Sequence, residues 1–118
     1  MRSELEEIER VLADALTSAD PWSAFVQARE EASLAPEVRA RLAHVDEDGL
    51  RIAGLLVAKL RFERIMNGSR LGADWFERDP AAFTEAFRRY HTSVAPTELM
   101  PGLEGRRFET WLDEHGVP

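Results

Sequence analysis

The hydrophobic pattern of the chain centres on one stretch, GLRIAGLLVAKLRFERIMNG, residues 49–68. Within it, residues 52–58 carry no polar side chain over about two helical turns, so a helix here is apolar on every side. A helix of that kind is normally buried. Polar residues return from Lys59 to Arg64. We therefore predict a buried central helix over about residues 48–67, whose second half emerges from the core.

Three shorter helices are predicted before it. Ser3 and Glu6 form a capping box, which is typical of a helix N-terminus. The apolar positions that follow have three- and four-residue spacing; they are Leu5, Ile8, Leu12, Ala15 and Leu16. Asp20-Pro21 combines an N-cap residue with proline at the first helical position, and Pro36 begins a short helix that ends near residue 43.

The chain after the central helix is also predicted to be helical. Residues 67–69, Asn-Gly-Ser, predict a helix end and a turn, and residues 75–76 predict a single short turn. Asp79-Pro80 predicts another helix start, with one apolar face formed by Phe83, Ala86, Phe87 and Tyr90. Residues 94–102 read as irregular, and a last helix is predicted from about residue 103 to residue 115.

These patterns predict an all-α fold. No stretch alternates in the manner of a strand, so we expect one compact domain over residues 1–118, with five or six helices packed around the central helix. Part of this pattern is repeated within the chain, because Asp20-Pro21 with Ser33–Pro36 recurs as Asp79-Pro80 with Ser93–Pro96. The repeat indicates either two related halves or local helix-start and turn preferences that occur twice.

Composition restricts the class of protein. At 118 residues, 44% hydrophobic and 31% charged, the chain has the length and balance of one ordinary globular domain. It has no cysteine, which excludes disulfides and thiolate chemistry. The longest apolar run is far shorter than the roughly 20 residues that span a bilayer. Because the N-terminus, MRSELEEIER, is acidic and unlike a signal peptide, we expect a cytoplasmic, bacterial-type protein.

The charge is unevenly distributed. The net charge of −7 lies entirely in residues 1–50, and residues 51–118 are neutral. This balance disfavours nucleic-acid binding, which requires neutralisation of phosphates. Residues 51–70 nevertheless contain four arginines and Lys59 against Glu63 alone. They form either a basic patch for an acidic partner or a set of charges that pair with the acidic first half.

We find no motif that supports catalysis. The chain lacks phosphate-binding, dinucleotide-binding and hydrolase motifs. Its three histidines, His44, His91 and His115, fall in three different elements, and the acids beside His44 do not have the spacing of a calcium loop. We therefore predict no catalytic residue, no metal site and no cofactor. A small metal-dependent enzyme that uses the three histidines is the alternative.

The second half of the chain interleaves aromatic residues with arginines, the residue types enriched at binding hot spots. Most of the aromatic side chains are needed for the core, but we expect Trp75 or Trp111 to be an exposed anchor flanked by arginines. The predicted partner-binding residues are Trp75, Phe76, Arg61, Arg64, Arg70, Arg88 and Arg89.

Two stretches resemble a known family. The first is Gly49-Leu50-Arg51 leading into residues 59–64, KLRFER. The second is the tail, with Trp75-Phe76, Asp79-Pro80, Phe83, Phe87, Tyr90-His91, Pro96-Thr97, Pro101, Glu104, Phe108 and Trp111-Leu112. Together they resemble, over about residues 48–112, the small helical partner proteins of multinuclear non-heme iron-dependent oxidases. Those oxidases modify ribosomally made peptides, often at a cysteine.

The resemblance implies a function without catalysis in this chain. In that family the oxidase carries the iron ligands and the chemistry, while the partner protein binds the oxidase and helps to present the peptide. This chain is shorter than some such partners, so a separate peptide-binding module is not implied. The alternative is a self-associating structural or regulatory protein that uses the same surface for a homodimer.

Overall fold

The all-α prediction is confirmed by a computed structural model that describes residues 3–31 and 33–117. These residues form seven helices and no strand. The helices are α1 (Glu4–Leu16), α2 (Pro21–Arg29), α3 (Pro36–Leu42), α4 (Glu47–Gly68), α5 (Arg70–Arg78), α6 (Pro80–Ser93) and α7 (Pro101–Glu114). No helix within the described residues is long and apolar enough to cross a membrane.

The predicted helix starts are formed by the expected capping bonds. Ser3 accepts a hydrogen bond from the Glu6 amide at 3.1 Å, and Asp20 accepts one from Ser23. Asp79 accepts a bond from the Ala82 amide in the same way. Each bond satisfies an amide that the first helical turn leaves without a partner. At the other end of the chain, Gly116 follows α7 with a positive φ of 64°, as expected for a glycine that ends a helix.

The prediction of five or six helices is wrong, because α5 is a complete helix where a single turn was expected. Its N-cap is Ser69, whose hydroxyl accepts a bond from the Gly72 amide at 2.9 Å. The same hydroxyl donates to Glu109 of α7 at 2.7 Å. The serine therefore begins one helix and ties it to another, and the second contact is between residues 40 positions apart.

The chain divides into two compact units, with the boundary between Val57 and Ala58, inside α4. The first unit contains α1, α2, α3 and the beginning of α4, and the second contains the end of α4 with α5, α6 and α7. The prediction of a single domain stays a prediction. Each unit has its own hydrophobic core.

The core of the first unit is aliphatic around one phenylalanine. Its buried residues are Val11, Ala15, Phe25, Leu34, Val38, Leu42 and Leu50. Leu5, predicted to lie on the apolar stripe of α1, is instead 64% exposed. Val11 takes the central place on that helix and is fully buried.

The core of the second unit is aromatic. Phe83 is fully buried, and its ring makes edge-on contacts with neighbouring rings at centroid distances of 5.6–5.8 Å. These neighbours are Phe62, Trp75, Phe76 and Phe108. Edge-on geometry is favourable because the electron-rich face of one ring meets the positive edge of another.

A close backbone contact sets the position of α7 in the second unit. A Cβ atom added to Gly105 would overlap the backbone of Gly68, and one added to Gly68 would overlap the carbonyl of Pro101. Only glycine allows two backbones to approach this closely. The contact brings the beginning of α7 against the end of α4.

The predicted burial of the central helix is wrong for its apolar segment. Ile52, Leu55 and Leu56 are 66%, 73% and 52% exposed. Within the first unit the helix buries Leu50 and Gly54, and within the second unit it buries Arg61 and Ile65. The apolar sequence gave no sign of this asymmetry, because the side chains on the exposed face are as hydrophobic as buried ones.

We expect Gly105→Ala to destabilise the protein by roughly 1–3 kcal/mol, as overpacking does, because the new methyl group meets backbone that cannot move aside. Chemical denaturation followed by circular dichroism measures this change. Gly102→Ala, on the same helix and with no atom within 4 Å of the added carbon, is the matched control and should stabilise by up to about 1 kcal/mol. Equal stability of the two variants would contradict the close contact.

Candidate functional site in the second unit

A buried polar cluster lies among α4, α6 and α7. We call it the Arg61 cluster; it consists of Arg61, Arg64, Tyr90, His91 and Glu104. Arg61 lies on the buried face of α4, one helical turn before the core residue Ile65. Tyr90 and His91 lie in the last turn of α6, and Glu104 lies in the first turn of α7, where the helix dipole favours an anion.

Glu104 is the common acceptor of the cluster. Its carboxylate accepts hydrogen bonds from Arg61 Nε at 2.9 Å and from Tyr90 Oη at 2.6 Å. Arg64 adds a third donor at 3.4 Å. Arg61 and Glu104 are both fully buried, so each charge has lost its water and depends on the other for compensation.

Arg61 also holds the chain that leaves α6. Its Nη1 donates to the carbonyl of Val94 and its Nη2 to that of Ala95, the second bond at 3.4 Å. Arg107 of α7 donates to the same Ala95 carbonyl at 3.1 Å and to the Thr97 hydroxyl. Two arginines from two helices therefore fix the segment between α6 and α7, although that segment has no regular secondary structure.

The environment shifts two ionisable groups. Burial and the bond to Glu104 raise the pKa of Tyr90 to about 12, so the phenol stays a neutral donor. Burial and the adjacent Arg61 guanidinium lower the pKa of His91 to about 4. His91 Nδ1 lies 3.4 Å from Arg61 Nη1, and because a guanidinium only donates, this ring nitrogen is the acceptor.

Two of the predicted partner-binding residues are parts of this interior. Trp75 is only 7% exposed and packs on Phe83, while Arg61 is fully buried. Trp111, the other candidate anchor, is 6% exposed. The expectation of an exposed tryptophan anchor is therefore wrong, and the physical reason is that the aromatic core of this unit needs both indoles.

The remaining predicted residues are closer to solvent. Phe76 is half-buried against the core, and Arg64 reaches Glu104 with a partly exposed side chain. The exposed members are Arg70, Arg88 and Arg89. Arg89 lies over the Trp111 ring at 5.6 Å, so it covers the edge of the core rather than an exposed anchor. Whether any of these residues binds a partner stays a prediction.

The basic residues 51–70 do not behave as one group. Arg51 pairs with Glu47 at 2.9 Å and with Asp20 at 3.7 Å, as expected for pairing with the acidic first half. Arg61 and Arg64 pair instead with Glu104 in the second half. Neither a basic patch for an acidic partner nor pairing with the acidic first half therefore describes all of residues 51–70.

An exposed apolar segment that the sequence pattern did not predict lies next to the Arg61 cluster. Leu99, Met100 and Leu103 are 78%, 63% and 44% exposed; we call them the 99–103 patch. The signal was present as two large apolar residues directly before a proline helix start, within a stretch that was read only as irregular. Glu104 was missed too, because its partners are 14 and 43 residues away.

A small pocket lies beside α7. It has a volume of about 330 Å³ and is lined by Val94, Arg107, Thr110, Trp111 and Glu114. Among the described residues, no group of three histidine, aspartate or glutamate side chains is placed to hold a metal ion.

Comparison with known proteins gives no relative: no family model, curated protein or solved structure matches this chain.

We expect Glu104→Gln to destabilise the protein by about 3–5 kcal/mol, because it leaves the buried Arg61 guanidinium without its counter-charge. Denaturant titration measures the loss. Glu114→Gln, an exposed position on the same helix, is the control and should change stability by less than about 0.5 kcal/mol. A loss no larger than that of the control would show that the ion pair does not hold the unit together.

Acidification should weaken the fold through His91. Its folded pKa of about 4 lies below the ordinary value of 6.5, so the unfolded chain binds the extra proton between these values. Stability is therefore fully present above pH 6.5 and is lost as the pH falls towards 4, by about 1–3 kcal/mol. NMR titration of the His91 ring protons tests the cause directly. A titration midpoint of His91 at or above pH 6.5 would contradict the lowered pKa.

Proposed function

We propose that this chain is a non-catalytic binding partner of another protein, and that it serves as the accessory subunit of an iron-dependent oxidase that modifies ribosomally made peptides. The observation that carries the proposal is the 99–103 patch. Three large apolar side chains within five residues are exposed there, and contiguous exposed apolar surface is typical of interaction sites.

The patch lies on a segment that is held in place. Arg61 and Arg107 bind the backbone just before it, at Val94 and Ala95, and Pro101 begins α7 within it. A partner that binds a fixed segment does not have to order it first, so less of the binding energy is lost. An exposed apolar segment that is anchored from the interior is therefore well suited to recognition.

The charges around the patch indicate the chemistry of the partner. Arg106 is exposed one helical turn after Leu103, and Arg107 is half-exposed beside it. An apolar contact with arginines at its edge is complementary to a hydrophobic pocket bordered by carboxylates. The oxidase itself, or an acidic substrate peptide held on it, has this chemistry in the proposed complex.

The resemblance of residues 48–112 to oxidase partner proteins supplies the identity of the proposed partner. In that family the second protein carries the iron and performs the oxidation, and the small helical protein binds it. The buried Arg61 cluster supports this division of roles, because the Glu104 carboxylate is already held by Arg61, Arg64 and Tyr90 and the cluster serves to position the patch.

Affinity capture of the tagged protein from its native host, followed by mass spectrometry, tests the partner. Stoichiometric recovery of one iron-containing enzyme supports the proposal. Recovery of the chain alone contradicts it.

With that enzyme purified, the Leu99→Ser and Met100→Ser double variant should weaken binding at least tenfold, because hot-spot truncations typically exceed 1.4 kcal/mol. Calorimetric titration measures the affinity. Leu71→Ser, at a leucine of the same unit that is 50% exposed, is the matched control and should bind as the unchanged protein does. Equal affinity of the two variants would remove the patch from the interface.

A self-associating protein is the second candidate, and a different surface favours it. That surface is the exposed apolar face of α4, which carries Ile52, Leu55 and Leu56.

A further inference from the structure

The exposed face of α4 carries an ordered set of side chains. Asp48, Ile52, Leu55 and Lys59 are all exposed and follow one another at intervals of four, three and four residues. This spacing places them in one line along the helix and is the seam spacing of a coiled coil. Leu56 is exposed beside the line. We call the four residues the α4 seam.

The seam is separate from the buried side of the same helix. Leu50 packs in the core of the first unit, and Gly54 approaches Pro21 and Leu16. At 100° per residue, Gly54 lies about 160° around the helix from Ile52. Burial of one side therefore leaves the seam outward, and three aliphatic side chains that are more than half exposed gain substantially from being covered.

The order of charges in the seam identifies what covers it. We propose that the occupant is a second copy of this chain, whose α4 lies antiparallel across a two-fold axis near residues 53 and 54. That alignment places Ile52 opposite Leu55 of the second copy. It also places Lys59 opposite Asp48 of the second copy, and the two-fold axis repeats both contacts.

A parallel arrangement is disfavoured by the same residues. It would place Lys59 against Lys59 and Asp48 against Asp48, and like charges at facing positions repel. The seam is therefore complementary to itself in one direction only. This is the property that a symmetric homodimer requires, since the same patch serves on both subunits.

The interface is short, which sets its strength. Two central apolar layers and two flanking ion pairs from one helix are less than a standard interface of about 1,600 Å². We therefore expect a reversible dimer with a dissociation constant in roughly the micromolar range. The proposal is independent of the accessory-subunit function, because its residues are not those of the 99–103 patch, and it rests on and specifies the second candidate function, self-association through α4.

The chain offers a specific test because Lys59 is its only lysine. A carbodiimide, which joins an amine to a carboxylate in direct contact, should link Lys59 to Asp48. Within one chain these residues are eleven positions apart on a helix, about 16 Å, so this link forms only between two copies. Lys59 also lies 3.7 Å from Glu63 of its own chain. A cross-link between these two residues joins no second chain, so its product keeps the mass of a single chain.

Tryptic mapping of the cross-linked dimer band reads the result. A Lys59–Asp48 link in material of twice the 13.4 kDa chain mass supports the antiparallel dimer. A dimer band that contains only other links would overturn it, and so would sedimentation as a single chain at concentrations up to about 100 µM, well above a micromolar dissociation constant.

A charge exchange tests the alignment independently. Asp48→Lys should weaken the dimer at least tenfold, because it creates two lysine–lysine contacts, and Lys59→Asp should do the same with two aspartate pairs. The double variant should recover the original dissociation constant within about threefold, since opposite charges face each other again. Sedimentation equilibrium measures all four proteins. Failure of the double variant to recover would overturn the alignment.

The apolar layers are tested by Leu55→Ala, with Leu99→Ala as the matched exposed leucine. Leu55→Ala should weaken the dimer at least tenfold and leave the thermal midpoint of the dilute monomer unchanged, and Leu99→Ala should not affect the dimer. The outcomes separate the two proposals. Enzyme binding that is lost only when residues 99 and 100 are changed supports the proposed function. A dimer that is lost only when residues on α4 are changed supports this inference. A dimer that depends on Leu99 and not on Leu55 would overturn it.

Discussion

The buried carboxylate of Glu104 is the group on which the second unit depends. It lies in the interior with two guanidinium groups and a phenol around it. Because Arg61 and Glu104 are both fully buried, neither of these two charges has water to compensate it. An ion pair of this kind adds little net stability compared with an apolar core, but removing one member strongly destabilises the protein. Its effect is to permit one arrangement of α4, α6 and α7 and to penalise others.

The consequences extend from that pair to the surface. Glycine at positions 68 and 105 allows α7 to approach α4 closely, and this approach brings Glu104 to Arg61. The remaining guanidinium nitrogens of Arg61 then bind the backbone at residues 94 and 95. A segment without regular hydrogen bonding is thus fixed by the core, and its exposed leucines and methionine are presented in a defined place.

Local features were predictable because they depend on neighbouring residues. The Asp20 and Asp79 caps each bond to an amide three residues later, so sequence spacing alone identifies them. The Phe83 face of α6 followed from helical periodicity in the same way. The α5 helix was underestimated because its N-cap, Ser69, is additionally secured by Glu109, a residue that no local pattern connects to it.

The sequence by itself determined the all-α class, most helix starts and the aromatic character of the second half, since these depend on spacing and side-chain type. Only the tertiary structure decided which side of each helix is covered. It buried Trp75 and Arg61, which composition had suggested for a surface, and left Leu55 and Leu99 exposed. The physical reason is that hydrophobicity belongs to a residue, whereas burial depends on which distant element lies against it.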